Sequence, residues 1–249
     1  RNGDLLAMAS FPTYEPADFV NGITATQFRE LTSEDNFSPI LNRAIQGTYA
    51  PGSTFKLITA LAALQEGVLG DAGLRRPTDL YLDTGTYTYS NCFEESSTCL
   101  FSSPYAGGGR QVDLPASLRV SSDTYFYEIA GEGFWTRSSE PDEDGLRPDE
   151  GIQLWARQLG FGSDSGLQVP YERSGAVPDR DYYDRQFDAG VFAVDGSQWF
   201  AGATINLSIG QGELLVTPLQ LANAYATFGN GGALHLSLIH ISEPTRRLC

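Results

Sequence analysis

The chain has 249 residues, and its 31 acidic side chains outnumber 16 basic ones, which gives a formal net charge of −15. A field of this sign repels phosphate, so it argues against a nucleic-acid binder or a polybasic membrane-surface protein. Hydrophobic residues make up 41% of the chain, which supports a folded domain rather than general disorder. Both histidines, His235 and His240, lie near the end, so zinc sites and histidine-based triads are not expected in residues 1–234.

The predicted elements begin with a strand over Asp4–Ser10, the run DLLAMAS, which Pro12 stops. A helix is predicted to start after Pro51 and Gly52 and to end at Gly67, because apolar residues recur in it at i, i+3, i+4 and i+7. Its other side is also apolar. A helix that is hydrophobic almost all round belongs inside the protein.

Further strands and helices are predicted downstream. Residues 80–101 contain alternating, β-prone stretches, and residues 114–130 show a helical pattern. Residues 136–150, rich in Asp, Glu, Ser and Pro, are predicted to form a solvated loop. Helices are predicted over residues 152–159 and 218–228, the second opening on a Thr-Pro pair typical of an N-cap. This interleaving of helices and strands indicates an α/β (α+β) fold.

The C-terminal segment differs from the rest of the chain. Residues 236–246, LSLIHISEPTR, resemble the translation of a transposase adapter used in preparing sequencing libraries. Residues 236–249 are therefore interpreted as a non-native tail, and a native amphipathic tail is the alternative.

The cysteines leave the redox state of the chain open. Cys92 and Cys99 lie in a polar segment and either form a small disulfide ring or remain free thiols, while Cys249 is the last residue. Their spacing offers no second cysteine pair and no histidine for a metal site.

Lys56 is the only lysine of the chain, and it follows Ser53 by three residues at the start of the predicted buried helix. One helical turn separates the two residues, so their side chains project to the same side. A serine hydroxyl needs a base to become a nucleophile, and a lysine amine is a base only when it is neutral. Burial and the positive end of the helix dipole both lower a lysine pKa. The pair is a candidate nucleophile and base, and the alternative is an N-cap serine with a snorkelling lysine.

Several sequence segments, one of which contains this Ser-Lys pair, resemble the motifs of a known family. NRAIQGTYAPGSTFK at residues 42–56 contains the Ser-x-x-Lys pair, and SSDTYFY at 121–127 is similar to a Ser-x-Asn motif with Asp in the third place. NLSIGQG at 206–212 and VTPLQLA at 216–222 resemble the stretch before the third motif, and GDLLAMAS at 3–10 resembles the first strand. Through these segments the chain resembles the class B penicillin-binding proteins, and within that class it resembles the elongation-type penicillin-binding protein 2 more than the division type.

The resemblance implies the fold shared by penicillin-binding proteins and serine β-lactamases, in which an antiparallel sheet is flanked by helices beside a helical subdomain. Residues 1–235 would form a C-terminally truncated transpeptidase domain. No Lys-Thr-Gly or Lys-Ser-Gly third motif occurs, because Lys56 is the only lysine. In the family that strand binds the substrate carboxylate and supplies an oxyanion donor, so the chain by itself is expected to be inactive.

The resemblance also implies roles for four residues. Ser53 would attack the D-Ala-D-Ala carbonyl of a peptidoglycan stem peptide, and Lys56 would accept its proton. Ser121 would relay a proton to or from the leaving group. Asp123 would hold Lys56 or the substrate amide by hydrogen bonding, while its carboxylate would favour the charged form of Lys56.

The implied function is peptidoglycan D,D-transpeptidation during cell-wall elongation, with capture of β-lactams by the same serine. The expected partners are a glycosyltransferase and membrane proteins of the elongation complex, with no metal, organic cofactor or nucleic acid. The expected location is the outer face of a bacterial cytoplasmic membrane, with a single-pass anchor missing here. A serine β-lactamase and a penicillin-sensing receptor domain are the alternatives.

Overall fold

A computed structural model describes residues 5–20, 22–90, 99–104, 109–167, 169–235 and 246–247. The helices, in chain order, are α1 (Ala25–Thr32), α2 (Lys56–Gln65), α3 (Leu114–Val120), α4 (Asp123–Glu128), α5 (Gly151–Gln158), α6 (Arg180–Asp188), α7 (Ala201–Ser208) and α8 (Pro218–Gly229). The strands are β1 (Tyr81–Asp83), β2 (Thr86–Thr88), β3 (Leu100–Ser102), β4 (Arg110–Val112), β5 (Ala233–Leu234) and β6 (Arg246–Arg247). Within the described ranges, no helix has the length and apolar character needed to cross a bilayer.

The chain divides into two compact units. The larger comprises Ala50–Gln158 and Ala176–Leu214, and the other comprises Arg1–Tyr49, Leu159–Gly175 and Leu215–Cys249. In the larger unit α2 packs against α5, and α7 packs against α4 and the π-helical turn Ile129–Phe134. Most of the largest fully buried side chains of this unit come from these five elements, and those of α2 are among them, so α2 is an interior helix, as its apolar circumference predicts.

The smaller unit is held by backbone pairing and by α8. Tyr49 and Val216 exchange two backbone hydrogen bonds of 2.9 Å, which join distant segments of the chain. The side-chain amide of Gln220, on the first turn of α8, donates to the carbonyls of Ser163 at 2.8 Å and Ser174 at 2.7 Å. Helix α8 therefore ties the middle segment of this unit to the C-terminal one.

The predicted mixture of helices and antiparallel strands is confirmed. The described strands form three antiparallel pairs, β1 with β4, β2 with β3 and β5 with β6. Helix α8 begins at Pro218 with Thr217 as its N-cap, as predicted, and α5 matches the predicted helix over 152–159. The helix after Gly52 is confirmed too, although its first turn, Gly52–Phe55, is a 3₁₀ helix and the α-helix begins at Lys56.

Three predictions of local structure are wrong. Residues 5–10 are not a strand, because no described strand pairs with them. The helix predicted over residues 114–130 is interrupted after Val120, since Ser121 takes the left-handed conformation at φ 57° and ψ 46°. The acidic segment 136–150 is exposed over residues 138–146, but Asp149 and Glu150 are buried.

The burial of Asp149 and Glu150 has an electrostatic cause. Arg180, in the first turn of α6, donates to Asp149 Oδ2 at 2.7 Å and to Glu150 Oε1 at 2.8 Å. Carboxylates leave water when a cation and hydrogen bonds compensate them. Nothing in the local composition of residues 136–150 indicates this partner.

Two predictions concern residues that the structure does not describe. Cys99 is disulfide-bonded, whereas Cys92 and Cys249 lie outside the described residues. Most of the predicted non-native tail, residues 236–245 and 248–249, lies outside them as well. The division into a domain of residues 1–235 and a tail therefore stays a proposal.

Candidate active site

Ser53 lies in the 3₁₀ turn Gly52–Phe55 that leads into α2, and its side chain is exposed. The turn is anchored at the amide of Gly52, which donates to the carbonyl of Gly210 at 2.9 Å. Gly210 has φ +75°, and a Cβ there would meet the Gly52 carbonyl oxygen at 2.2 Å. Only glycine allows this approach of the two backbones. Gly210 thus fixes the turn that presents Ser53. It lies in the segment NLSIGQG, residues 206–212, which is one of the segments that resemble the penicillin-binding proteins.

Lys56 is the first residue of α2, and only 1% of it is accessible to solvent. Its ammonium donates to the carbonyl of Ser121 at 2.9 Å and to the Ser121 hydroxyl at 3.0 Å. A third, very short hydrogen bond goes to Asp123 Oδ1. An ammonium has three protons, so these bonds satisfy it completely.

The left-handed Ser121 makes this convergence possible. Helix α3 ends before Ser121, and α4 begins at Asp123 with Ser122 as its N-cap, whose hydroxyl accepts from the Tyr125 amide at 3.3 Å. Reversing the chain between the two helices turns the carbonyl and hydroxyl of Ser121 and the carboxylate of Asp123 toward one point. The Lys56 ammonium occupies that point.

Burial and charge act on Lys56 in opposite directions. Burial of the ammonium lowers the Lys56 pKa from its ordinary 10.5, while the hydrogen bond and charge of Asp123, and then the charge of Asp83, raise it. Burial prevails, so the pKa of Lys56 lies below that of a free lysine. This direction favours a neutral amine, the form that can accept a proton.

Three of the four site residues predicted from the sequence meet in space. Lys56, Ser121 and Asp123 form one hydrogen-bonded cluster, and Ser53 lies one turn before Lys56. The bonds of Lys56 go to Ser121 and Asp123 rather than to Ser53, so Ser121 stands in direct contact with the amine. The roles of these residues stay predictions. Among the described residues, no cluster of His, Cys, Asp and Glu is arranged to hold a metal ion.

Comparisons with known proteins identify the family of the chain. The family described as "Penicillin binding protein transpeptidase domain" matches residues 1–243. The "Peptidoglycan D,D-transpeptidase MrdA" of Escherichia coli K12 is 32% identical over 232 residues, which cover 93% of this chain and 31% of that protein. The chain thus spans about a third of the length of the curated relatives that it matches first.

Two solved structures share the fold. Pseudomonas aeruginosa penicillin-binding protein 2, in complex with WCK 5153, has a TM-score of 0.76 and 30% identity and covers 100% of this chain and 51% of its own. Penicillin-binding protein 2 of Helicobacter pylori, in complex with MreC, has a TM-score of 0.76 and 27% identity over 99% of this chain and 40% of its own. These matches confirm the predicted fold and the resemblance to penicillin-binding protein 2. The chain belongs to the penicillin binding protein transpeptidase domain family.

Proposed function

We propose that this chain is part of a peptidoglycan D,D-transpeptidase of cell-wall elongation, with Ser53 as its nucleophile. The Ser53 oxygen attacks the carbonyl between the two D-alanines of a stem peptide, the terminal D-alanine leaves with a proton, and an acyl-enzyme forms. The amine of a second stem peptide then displaces Ser53 and completes the cross-link. The observation that carries this proposal is the fully buried Lys56 ammonium, held against Ser121 and Asp123 one turn after the exposed Ser53.

Lys56 and Ser121 are the proposed route for protons. In its neutral form Lys56 takes the proton of Ser53, and the Ser121 hydroxyl, 3.0 Å from Nζ, passes a proton to the leaving amine. Asp123 holds the lysine in place and opposes the effect of burial on its pKa. The helix N-terminus at Ser53 favours the alkoxide that develops there.

The present chain is proposed to react slowly. Because Lys56 is the only lysine, no Lys-Thr-Gly or Lys-Ser-Gly strand is present to supply the second oxyanion donor. Removing one such donor costs roughly 10²- to 10³-fold in turnover.

The proposed setting is the outer face of a bacterial cytoplasmic membrane, within an elongation complex that also holds a glycosyltransferase. The relative from Helicobacter pylori was solved with MreC, which supports a partner of this kind. The name of the Escherichia coli relative supports peptidoglycan stem peptides as substrates, and the family name supports capture of β-lactams.

Covalent labelling with a fluorescent penicillin tests the proposal. A version in which downstream coding sequence replaces the tail from Leu236 is expected to label at Ser53, and the present chain to label at least about 10²-fold more slowly. Ser53→Ala should abolish the label. Ser197→Ala, which removes another exposed serine in a 3₁₀ turn, is the matched control and should leave the label unchanged.

Three results would count against parts of this proposal. A label that survives Ser53→Ala excludes Ser53 as the nucleophile. Fast stoichiometric labelling of the present chain contradicts its inactivity. Rapid nitrocefin hydrolysis by the longer version indicates a serine β-lactamase in place of a transpeptidase.

A further inference from the structure

A second buried carboxylate, that of Asp83, lies close to the Lys56 cluster but outside every sequence motif. Asp83 ends β1, and only 5% of it is accessible to solvent. Its Oδ1 accepts hydrogen bonds from the Thr124 hydroxyl at 2.7 Å and from the Gly85 amide at 3.0 Å. Thr124 directly follows Asp123, so Asp83 bonds to the same helical turn that holds the Lys56 ammonium.

The other oxygen of Asp83 is held by Arg110. The two residues are register partners in the antiparallel pair of β1 and β4. Arg110 Nε and Nη2 both donate to Asp83 Oδ2, at 3.1 and 3.0 Å. Because one oxygen faces Arg110 and the other faces Thr124, the carboxylate links the strand pair to the first turn of α4.

Strand β1 contacts this turn a second time. The hydroxyl of Tyr81 donates to the carbonyl of Thr124 at 3.3 Å. Thr124 is fully buried and lies 3.5 Å, oxygen to oxygen, from the Ser122 hydroxyl that caps α4. The turn begins just after Ser121, whose left-handed backbone is unfavourable for a residue with a Cβ. Such a conformation persists only where surrounding contacts hold it.

We propose that Asp83 is a positioning residue, which holds the Ser121–Asp123 turn through Thr124 so that Ser121 and Asp123 converge on Lys56. Its use in catalysis rests on the proposed function. The positioning itself is a property of the folded chain and does not depend on any activity.

The charges around the cluster agree with this role. Lys56 is faced by Asp123 from α4 and by Asp83 from β1, and Asp83 is faced by Arg110 from β4 and by Tyr81 on its own strand. Burial raises the pKa of the Asp83 carboxyl, but hydrogen bonds from Thr124, Ser122, Gly85 and Arg110 outweigh burial and lower it. Asp83 is therefore ionised at neutral pH and favours the charged form of Lys56.

The single lysine permits a direct test on the whole chain. Labelling with ¹⁵N- and ¹³C-lysine gives one side-chain NMR signal, and its titration reports the Lys56 pKa. Asp83→Asn should lower that pKa, because it removes a carboxylate that favours the ammonium. Asp71→Asn makes the same charge change at an exposed site and should leave the pKa unchanged. A Lys56 pKa that does not fall in Asp83→Asn overturns the electrostatic part of the proposal.

A second pair of variants tests the positioning without changing charge. Thr124→Val keeps the buried volume but removes the hydroxyl that bonds to Asp83, whereas Thr124→Ser retains it. Exchange of the Lys56 ammonium protons with water should accelerate about tenfold in the valine variant, because one buried hydrogen bond no longer holds the turn. It should return to the wild-type rate in the serine variant.

These outcomes separate the inference from the proposed function. Unchanged exchange in a folded Thr124→Val variant overturns the positioning by Asp83, whatever the penicillin label shows. If the longer version does not take the penicillin label while the Lys56 signal of the present chain responds to the substitutions as expected, the proposed function is refuted and the positioning by Asp83 is unaffected. If Asp83→Asn does not fold, the threonine pair alone decides the positioning.

Discussion

At the scale of single residues, Lys56 carries an energetic conflict that its surroundings only partly resolve. Burying an ammonium without a partner costs several kcal/mol, and Asp123 with both oxygens of Ser121 offsets that cost. The Lys56 pKa still falls below its ordinary value, so part of the cost remains in the folded protein. The folded protein therefore loses some stability at Lys56, and the same lowered pKa favours the neutral amine that the proposed function requires.

This conflict predicts how stability depends on pH. The folded-state pKa of Lys56 is lowered, so between that pKa and 10.5 the unfolded chain binds more protons than the folded one. Stability contributed by Lys56 therefore rises with pH across this window, by at most about 1.4 kcal/mol per pH unit. Denaturant unfolding of the wild type and of Lys56→Met at several values between about pH 7 and 9.5 measures it.

The comparison with Lys56→Met cancels the titration of other groups, including the tyrosines whose pKa burial raises, such as Tyr125 and Tyr127. We expect the wild type to gain stability relative to the variant as the pH rises. If the difference in the free energy of unfolding between the wild type and Lys56→Met stays constant or shrinks, the effect of Asp123 on the Lys56 pKa outweighs that of burial and Lys56 remains charged.

The sequence identifies the residues of this cluster, but it does not identify the residues whose contacts hold the cluster in place. Ser53 and Lys56 are one helical turn apart in the sequence, and Ser121 and Asp123 lie in a segment similar to the Ser-x-Asn motif. Asp83 is 41 positions from Thr124, and no local pattern links the two. Such contacts depend on how the chain folds back on itself, which the composition near Asp83 does not encode.

At the scale of elements, the same N-terminal capping motif occurs in a buried and in an exposed helix terminus, and we expect it to contribute differently to stability. Helices α1 and α8 both begin with a complete capping box, Thr24 with Gln27 and Thr217 with Gln220. Helix α1 buries no residue, whereas Thr217 and Gln220 are both buried. Only in α8 does losing the cap leave buried polar groups without partners.

We therefore predict that Thr217→Ala lowers the free energy of unfolding by about 1 to 2 kcal/mol, the upper range for an N-cap. The threonine hydroxyl accepts from the Gln220 amide at 3.2 Å, and the Gln220 side chain holds two further carbonyls. Thr24→Ala, the matched change in α1, should leave global unfolding unchanged. Urea titration followed by circular dichroism distinguishes them, and equal effects would refute the argument from burial.

Local signals therefore predict an element well when its own residues determine it. The cap of α8 and the apolar circumference of α2 are local, and both predictions are confirmed. The break at Ser121 is not local, because apolar periodicity continues on both sides of it and the contacts with Lys56 come from another helix. The strand expected over residues 4–10 fails for a related reason, since a strand requires a partner that its own sequence cannot supply.

At the scale of the whole molecule, a net charge of −15 produces electrostatic repulsion that opposes folding, while ion pairs among the described residues favour it. Several pairs are shielded from salt by burial, such as those of Arg180 with Asp149 and Glu150. The excess of acidic groups is largely exposed, for example over residues 140–144. Salt should therefore screen the repulsion more than it weakens the attractions.

We predict that the free energy of unfolding at about pH 8 rises when NaCl is increased from about 0.01 M to about 1 M, as the Debye length falls from roughly 30 to roughly 3 Å. At about pH 5, closer to the sequence pI of about 4.4, the net charge is smaller and the salt effect should shrink. Thermal unfolding at both pH values supplies the measurement. A loss of stability with salt at pH 8 would show that exposed ion pairs outweigh the net repulsion, because only favourable interactions are lost when they are screened.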